Sequence, residues 1–143
     1  MIQAWRVCRA PFADLAGEGA RRYGGRWNSP GLPVVYAAEH PALALLEVRV
    51  HLDLPLDLMP EDYVILRISL RDEPPEHITT IPADPRAAGD AWLREARTAI
   101  LRVPSILVPG ATNLLLNSRH SRATEAILAT PTPFRFVPRL WSA

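Results

Sequence analysis

Apolar and polar positions divide the chain into short alternating and helical stretches, punctuated by proline and glycine. Ile2–Val7 reads as an opening strand with Trp5 and Val7 on one face. Pro11–Arg22 is mixed and suits a short helix or a loop. Gly24-Gly25-Arg26-Trp27-Asn28 then leads, through Ser29-Pro30-Gly31, into the apolar Val34-Val35-Tyr36-Ala37. Pro30-Gly31 fits the centre of a type II turn, so a hairpin is expected with Arg26 and Tyr36 on adjacent strands. Pro41–Leu52 carries the strongest helical pattern. Leu43, Leu46, Glu47 and Val50 form one stripe, and Leu45, Val48 and Leu52 make a second apolar face. Much of this helix is therefore expected in the core, which makes Glu47 an anomaly.

Further along, Tyr63–Leu70 predicts a central strand and Ile78–Ile81 a short β-branched one. Asp90 can cap a helix over Ala91–Leu101, with Trp92, Ala96 and Ile100 in line. Ser105–Val108, between two prolines, predicts another short strand. Asn113–Asn117 is an apolar segment with polar ends, and Phe134–Val137 suits an edge strand. There is no internal repeat or linker. These elements predict one α+β domain over residues 1–143.

Composition narrows the class. With 143 residues and 48% hydrophobic content, the chain can bury a core, which excludes a disordered segment. No apolar run approaches the roughly 18–20 residues of a membrane span. The start, Met1–Arg6, lacks the apolar run of a signal peptide, and a lone Cys8 cannot form an internal disulfide. The cytoplasm is the expected compartment. All sixteen basic residues are Arg, and the net charge is only +1. That balance argues against direct nucleic-acid binding. Residues 1–30 hold five Arg against two acids, so a small anionic ligand suits that region.

Several chemistries lack their motifs. The four His stand at no zinc-ligand spacing, so no metal is expected. Neither a dinucleotide fingerprint nor a Walker loop occurs, and no Gly-x-Ser-x-Gly elbow is present. Glu47 and His51 stand four apart and suit a partly buried helical ion pair better than an acid–base couple. Glu47 itself has two readings: it pairs with an Arg in a buried network, or it is a functional carboxylate. Arg26 is equally open. The two glycines before it serve a turn, or they let a phosphate approach the backbone while Arg26 grips it.

The order of the motifs adds a resemblance. Trp5-Arg6-Val7, Gly24-Gly25-Arg26-Trp27-Asn28, Val34-Val35-Tyr36-Ala37-Ala38 and Ala42-Leu43-Ala44-Leu45-Leu46-Glu47 resemble the RES domain. Gly89-Asp90-Ala91-Trp92, Val103-Pro104-Ser105 and Asn113–Asn117 continue the match in order, over nearly the whole chain. The Arg, Glu and Ser that name the family match Arg26, Glu47 and Ser105. The resemblance implies an ADP-ribosyltransferase-like fold with mixed sheets. It also implies a toxin of a bacterial toxin–antitoxin pair, which cleaves the nicotinamide–ribose bond of NAD⁺ by hydrolysis or phosphorolysis. NAD⁺ is then a substrate, with no separate cofactor.

The expected partner is a helix-turn-helix antitoxin of Xre type, and a homodimer is compatible with the apolar Phe134–Val137 edge. By the same resemblance Glu47 stabilises the cationic ribose and Arg6 and Arg26 clamp the diphosphate. Tyr36 stacks on nicotinamide, while Ser105 and Asn117 hydrogen-bond ribose or amide groups. The late motif departs from the family pattern. Gly110-Ala111-Thr112 replace an acidic residue before Asn113, and Ser118 replaces a Pro after Asn117. The rival readings are transfer of ADP-ribose to a macromolecule and an inactive partner-binding module.

Overall fold

The computed structural model describes residues 1–71 and 74–141. In chain order the elements are β1 (Ile2–Arg9), α1 (Glu18–Tyr23), β2 (Val35–Ala38), α2 (Pro41–Val50), β3 (Tyr63–Leu70) and β4 (Glu76–His77). They continue with α3 (Pro85–Glu95), β5 (Ile100–Pro104), β6 (Thr112–Leu116), β7 (Ile127–Leu128) and β8 (Thr132–Pro133). The strands form one mixed sheet in the order β4-β5-β6-β2-β1-β3-β7, with β8 also on β3. The β4–β5 pair is parallel and the other pairs are antiparallel. This is the expected α+β architecture. Among the described residues, no helix is long and apolar enough to cross a membrane.

The sheet has a narrow waist. β1 pairs with β3 along its whole length, from Ile2↔Leu70 to Arg9↔Tyr63. It meets β2 at a single pair, Trp5↔Ala38. Paired residues share a face, so one face carries Trp5, Val7, Tyr36, Ala38, Leu101, Val103, Asn113 and Leu115. α2 covers the waist on that face through Leu43 and Ala44, which pack with Val7 and Ala38. α3 covers the neighbouring part through Trp92 and Leu93, packed on Leu101, Val103 and Leu115. The opposite face buries Ala4, Val35, Ile68, Ile100, Leu114 and Leu116.

Both long helices begin as their sequences dictate. His40 caps α2, its Nδ1 accepting from Ala42 N–H at 3.0 Å, and Pro41 fills the first turn. Asp84 caps α3 by accepting from Ala87 N–H at 3.0 Å, again followed by a proline. The C-terminal segment clamps the end of α2. Arg49 Nε donates to Leu140 O at 2.8 Å, and its guanidinium lies 4.2 Å from the Trp141 ring centroid.

Several expectations are corrected. α3 begins at Asp84, not Asp90, and ends where Ala96 adopts a left-handed φ of 48°, so Ile100–Pro104 is free to form a strand. The strand expected over Ile78–Ile81 is instead Glu76–His77. Ser105–Val108 is a turn, because the Leu107 and Val108 N–H groups fold back onto Ser105 Oγ. Phe134–Val137 leaves the sheet after Phe134 N–H bonds Tyr63 O, and Phe136 turns inward against Tyr63 and Trp141. On α2 only Leu43 and Ala44 are buried, whereas Leu46 is 39% and Val50 47% exposed. The second face expected over Leu45, Val48 and Leu52 does pack, half-buried, against the same cluster.

One close approach carries much of this packing. A Cβ on Gly89 would lie 1.8 Å from Trp27 O, so α3 rests directly on the backbone of the Gly25–Asn28 turn. Gly89→Ala is expected to lower stability by about 1–3 kcal/mol or more, as overpacked sites do. Thermal unfolding checks this; an unchanged Tm would contradict the contact.

Candidate active site

Glu47 stands in the second half of α2, half-buried on the side facing the sheet. Ser105 follows the last residue of β5, and Asn113 lies in β6 opposite Ala38 and Val103. These three side chains converge. Ser105 Oγ donates to Glu47 Oε1 at 3.1 Å, and Asn113 Nδ2 donates to the same oxygen at 2.9 Å. The hydroxyl has no freedom to turn elsewhere. It already accepts the N–H groups of Leu107 at 3.1 Å and Val108 at 3.2 Å, so its one proton goes to the carboxylate.

The carboxylate is thus held by one oxygen only. Oε2 has no hydrogen-bond partner among the described residues. Both anchors are neutral, so no cation cancels the charge of Glu47. Beside it, Asn113 Oδ1 is buried and without a partner, an orphaned acceptor. An uncancelled carboxylate with a free oxygen, next to an unused carbonyl, suits a ligand that brings positive charge and a hydroxyl.

A second cluster lies along the same face, one repeat (~7 Å) up β2 from Ala38. There Tyr36 organises the Gly25–Asn28 turn. Its hydroxyl donates to Asn28 Oδ1 at 2.6 Å and accepts Trp27 N–H at 3.1 Å. Asn28 is fully buried and donates through Nδ2 to Ala20 O at 2.9 Å and Leu32 O at 3.0 Å. Burial pushes the Tyr36 phenol up to about 12, against the opposing pull of the Trp27 N–H, Arg86 and Arg26. A raised value means that this stabilisation is complete below the ordinary value near 10 and fades as pH rises through about 12.

The glycines answer to sterics. Gly24 has φ 70°, a left-handed value that favours glycine, and a Cβ on Gly25 would lie 2.7 Å from Tyr36 Oη. The two glycines thus serve a fitted turn, a finding separate from what Arg26 binds. Arg26 occupies the tip of that turn rather than a strand beside Tyr36, since Gly25 and Asn28 form an isolated bridge around it. It is exposed and makes no hydrogen bond or ion pair with any described residue. Pro30-Gly31 does form the expected turn, closed by Leu32 N–H on Ser29 O at 3.3 Å, with Gly31 at φ 101°.

The sequence-predicted site residues therefore divide. Glu47, Ser105, Tyr36 and Arg26 gather on one face, in two adjoining clusters. Ser105 contacts Glu47 rather than offering a free hydroxyl. Arg6 does not join them. It alternates with Trp5 and Val7 to the opposite face, and its Nη1 donates to Phe12 O at 2.9 Å. Asn117 is also elsewhere, 1% exposed, with Nδ2 on Leu93 O and Oδ1 accepting Arg119 N–H. Its amide cements the α3 end to the loop after β6. His51 ends α2 without an ion pair to Glu47, whose two partners are Ser105 and Asn113.

Sequence reasoning missed three participants, of which Asn113, given no role beside Asn117, holds Glu47 Oε1. Asp90, taken for a helix cap, is 7% exposed and accepts Ser29 N–H at 2.7 Å and Ser29 Oγ–H at 2.5 Å. Arg86 reaches from the first turn of α3 to Gly25 O, at 3.2 Å from Nε and 3.1 Å from Nη2. The available signal was the Asp84-Pro85 pair, which places the helix start six residues earlier and brings Arg86 beside the turn. Among the described residues, no three His, Cys, Asp or Glu are placed to hold a metal ion.

Comparison with known proteins places the chain among bacterial toxins by sequence and fold. The chain is 39% identical over 130 residues to "Toxin Res" of Pseudomonas putida, spanning 85% of this chain and 88% of that protein. It is 39% identical over 124 residues to the "Prs ADP-ribosylating toxin" of Sphingobium sp., spanning 77% and 76% of the two. A shorter stretch of 46 residues is 54% identical to the "NAD(+) phosphorylase MbcT" of Mycobacterium tuberculosis, covering 32% of this chain and 25% of that one. The fold matches a chain of the crystal structure of the M. tuberculosis MbcT–MbcA toxin–antitoxin complex. That match has a TM-score of 0.72 at 24% identity, over 96% of this chain and 85% of that one. The RES domain matches residues 3–137, and the chain belongs to that family.

Proposed function

We propose that this chain is the toxin of a toxin–antitoxin pair and depletes NAD⁺ by cleaving the bond between nicotinamide and ribose. The observation that carries the reading is the Glu47 carboxylate, held through Oε1 by Ser105 and Asn113 with Oε2 unengaged. Nicotinamide departs as a neutral ring with the bonding electron pair, leaving positive charge on the ribose C1″ and its ring oxygen. A fixed, uncancelled carboxylate stabilises that charge as it develops and accepts a ribose hydroxyl proton in a hydrogen bond. Because Ser105 and Asn113 pre-set its orientation, little reorganisation remains for the reaction itself.

Water or phosphate then attacks the cationic carbon, giving ADP-ribose or ADP-ribose 1″-phosphate, and one proton is released to solvent or base. The named activity of MbcT supports phosphate. The Sphingobium relative supports a second reading, in which a macromolecular group is the acceptor. The Tyr36 ring, one strand repeat along the same face from the Glu47 cluster, is the surface against which nicotinamide or its ribose stacks. The site would act in the cytoplasm, where NAD⁺ is available, and a helix-turn-helix antitoxin of Xre type would restrain it. The toxin–antitoxin complex that shares the fold supports such a partner.

Purified protein incubated with NAD⁺, with and without phosphate, is expected to release nicotinamide; adducts on macromolecules without free product would favour transfer. Glu47→Gln keeps a carbonyl oxygen for Ser105 and Asn113 but removes the charge, so kcat should fall about a hundredfold or more. A fully active variant would sink the mechanism. Ser105→Ala should lower kcat roughly tenfold while KM stays near the wild-type value, the scale of one hydrogen bond to a charged group. Tyr36→Phe keeps the ring and orphans Asn28 Oδ1, so stability should drop by about 1–3 kcal/mol in denaturant unfolding.

A further inference from the structure

The cationic half of the site has one more member than the sequence reading assigned. Arg86 and Arg26 both flank Gly25: Arg26 is its chain neighbour, and Arg86 binds its carbonyl through Nε and Nη2. Gly25 in turn lies against the Tyr36 hydroxyl, so both guanidiniums border the Tyr36 cluster. Neither pairs with a carboxylate among the described residues. Asp90 stands four residues after Arg86, the spacing of a helical ion pair, but its two oxygens accept from Ser29 N–H and Oγ–H. Arg86 also sits in the first turn of α3, where the helix dipole disfavours a cation and where the nearest acid, Asp84, is engaged as the cap on Ala87 N–H. Two exposed arginines without counter-charges, one of them against the local electrostatics, mark a place for an anion. The single carbonyl bound by Arg86 leaves Nη1 and part of Nη2 free to donate further.

We propose that Arg86 and Arg26 together hold the diphosphate of the dinucleotide, the role that the sequence reading gave to Arg6 and Arg26. Arg6 is excluded by its place on the opposite face, with Phe12 O as its partner. The assignment rests on the proposed cleavage of NAD⁺ and names the residue that binds its diphosphate. Two planar guanidiniums match a group carrying two negative phosphates. The Gly25–Asn28 turn fixes their spacing, and the Glu47 cluster lies further along the same face for the nicotinamide end.

The test is steady-state kinetics on Arg86→Ala and Arg86→Lys, with titration calorimetry of ADP-ribose as a second readout. Arg86→Ala is expected to raise KM for NAD⁺ and weaken ADP-ribose binding roughly tenfold to a hundredfold, the scale of a charge-assisted hydrogen bond. Its kcat should stay near wild type, and the increase of KM with ionic strength should flatten. Arg86→Lys should restore the salt dependence. An ADP-ribose affinity unchanged in Arg86→Ala overturns the proposal, as does a loss of kcat with KM and salt dependence intact, which would mean that Arg86 only braces Gly25. Wild-type protein that releases no nicotinamide defeats the cleavage reading instead, and the ADP-ribose titration still decides Arg86.

Discussion

An anion can be part of a folded surface without a cation only if something else satisfies it, and here that something is two neutral donors on a single oxygen. The Ser105 hydroxyl is oriented by the Leu107 and Val108 N–H groups, and the Asn113 amide is fixed on the sheet. Together they hold Glu47 Oε1 without cancelling its charge. An arginine partner would have cancelled the field at the site. The orphaned Asn113 Oδ1 belongs to the same design, because a buried acceptor left open is unfavourable until a ligand donates to it.

That arrangement depends on long-range geometry. Glu47 comes from α2, Ser105 from the end of β5 and Asn113 from β6, and their meeting requires α2 to lie over the sheet's waist. Trp5↔Ala38 is the single pair joining the two halves there. Leu43 and Ala44 seat the helix, while Arg49, Leu140 and Trp141 hold its C-terminal end. Leu45, Val48 and Leu52 widen that seat, while Leu46 and Val50 stay exposed.

The local parts of this were legible in the sequence. Alternation located β1 and β3, and a proline at a first turn located α2, because both signals depend only on neighbouring residues. Pro30-Gly31 likewise announced its turn. Where a side chain had a distant partner, local reading failed. Asp90 looked like a cap but binds Ser29 across sixty-one positions of chain, and Ser105 looked like a strand residue but closes a turn and orients Glu47. Arg6 was grouped with Arg26 by the resemblance, and a one-residue step in strand parity sends it to the far face. The Glu47–His51 spacing suggested an ion pair that the sheet outcompetes, since β5 and β6 present two donors to that carboxylate.

The two clusters are also set at a fixed distance by one short strand. β2 carries Tyr36 at the cationic end and Ala38, opposite Asn113, at the anionic end, so two residues of extended backbone separate them. At the first, α3 presses on the Gly25–Asn28 turn through Gly89 and fastens it by Asp90 and Arg86. At the second, α2 supplies Glu47. A strand does not stretch, so the separation of opposite charges is invariant as long as both helices stay docked. A ligand with a cationic ring at one end and a diphosphate further along matches that fixed polarity, whereas an extended polyanion would meet the Glu47 carboxylate and be repelled. In the proposed reading, the order of charges along this face would suit a dinucleotide better than a nucleic-acid backbone, an order that the near-neutral composition of the whole chain does not reveal.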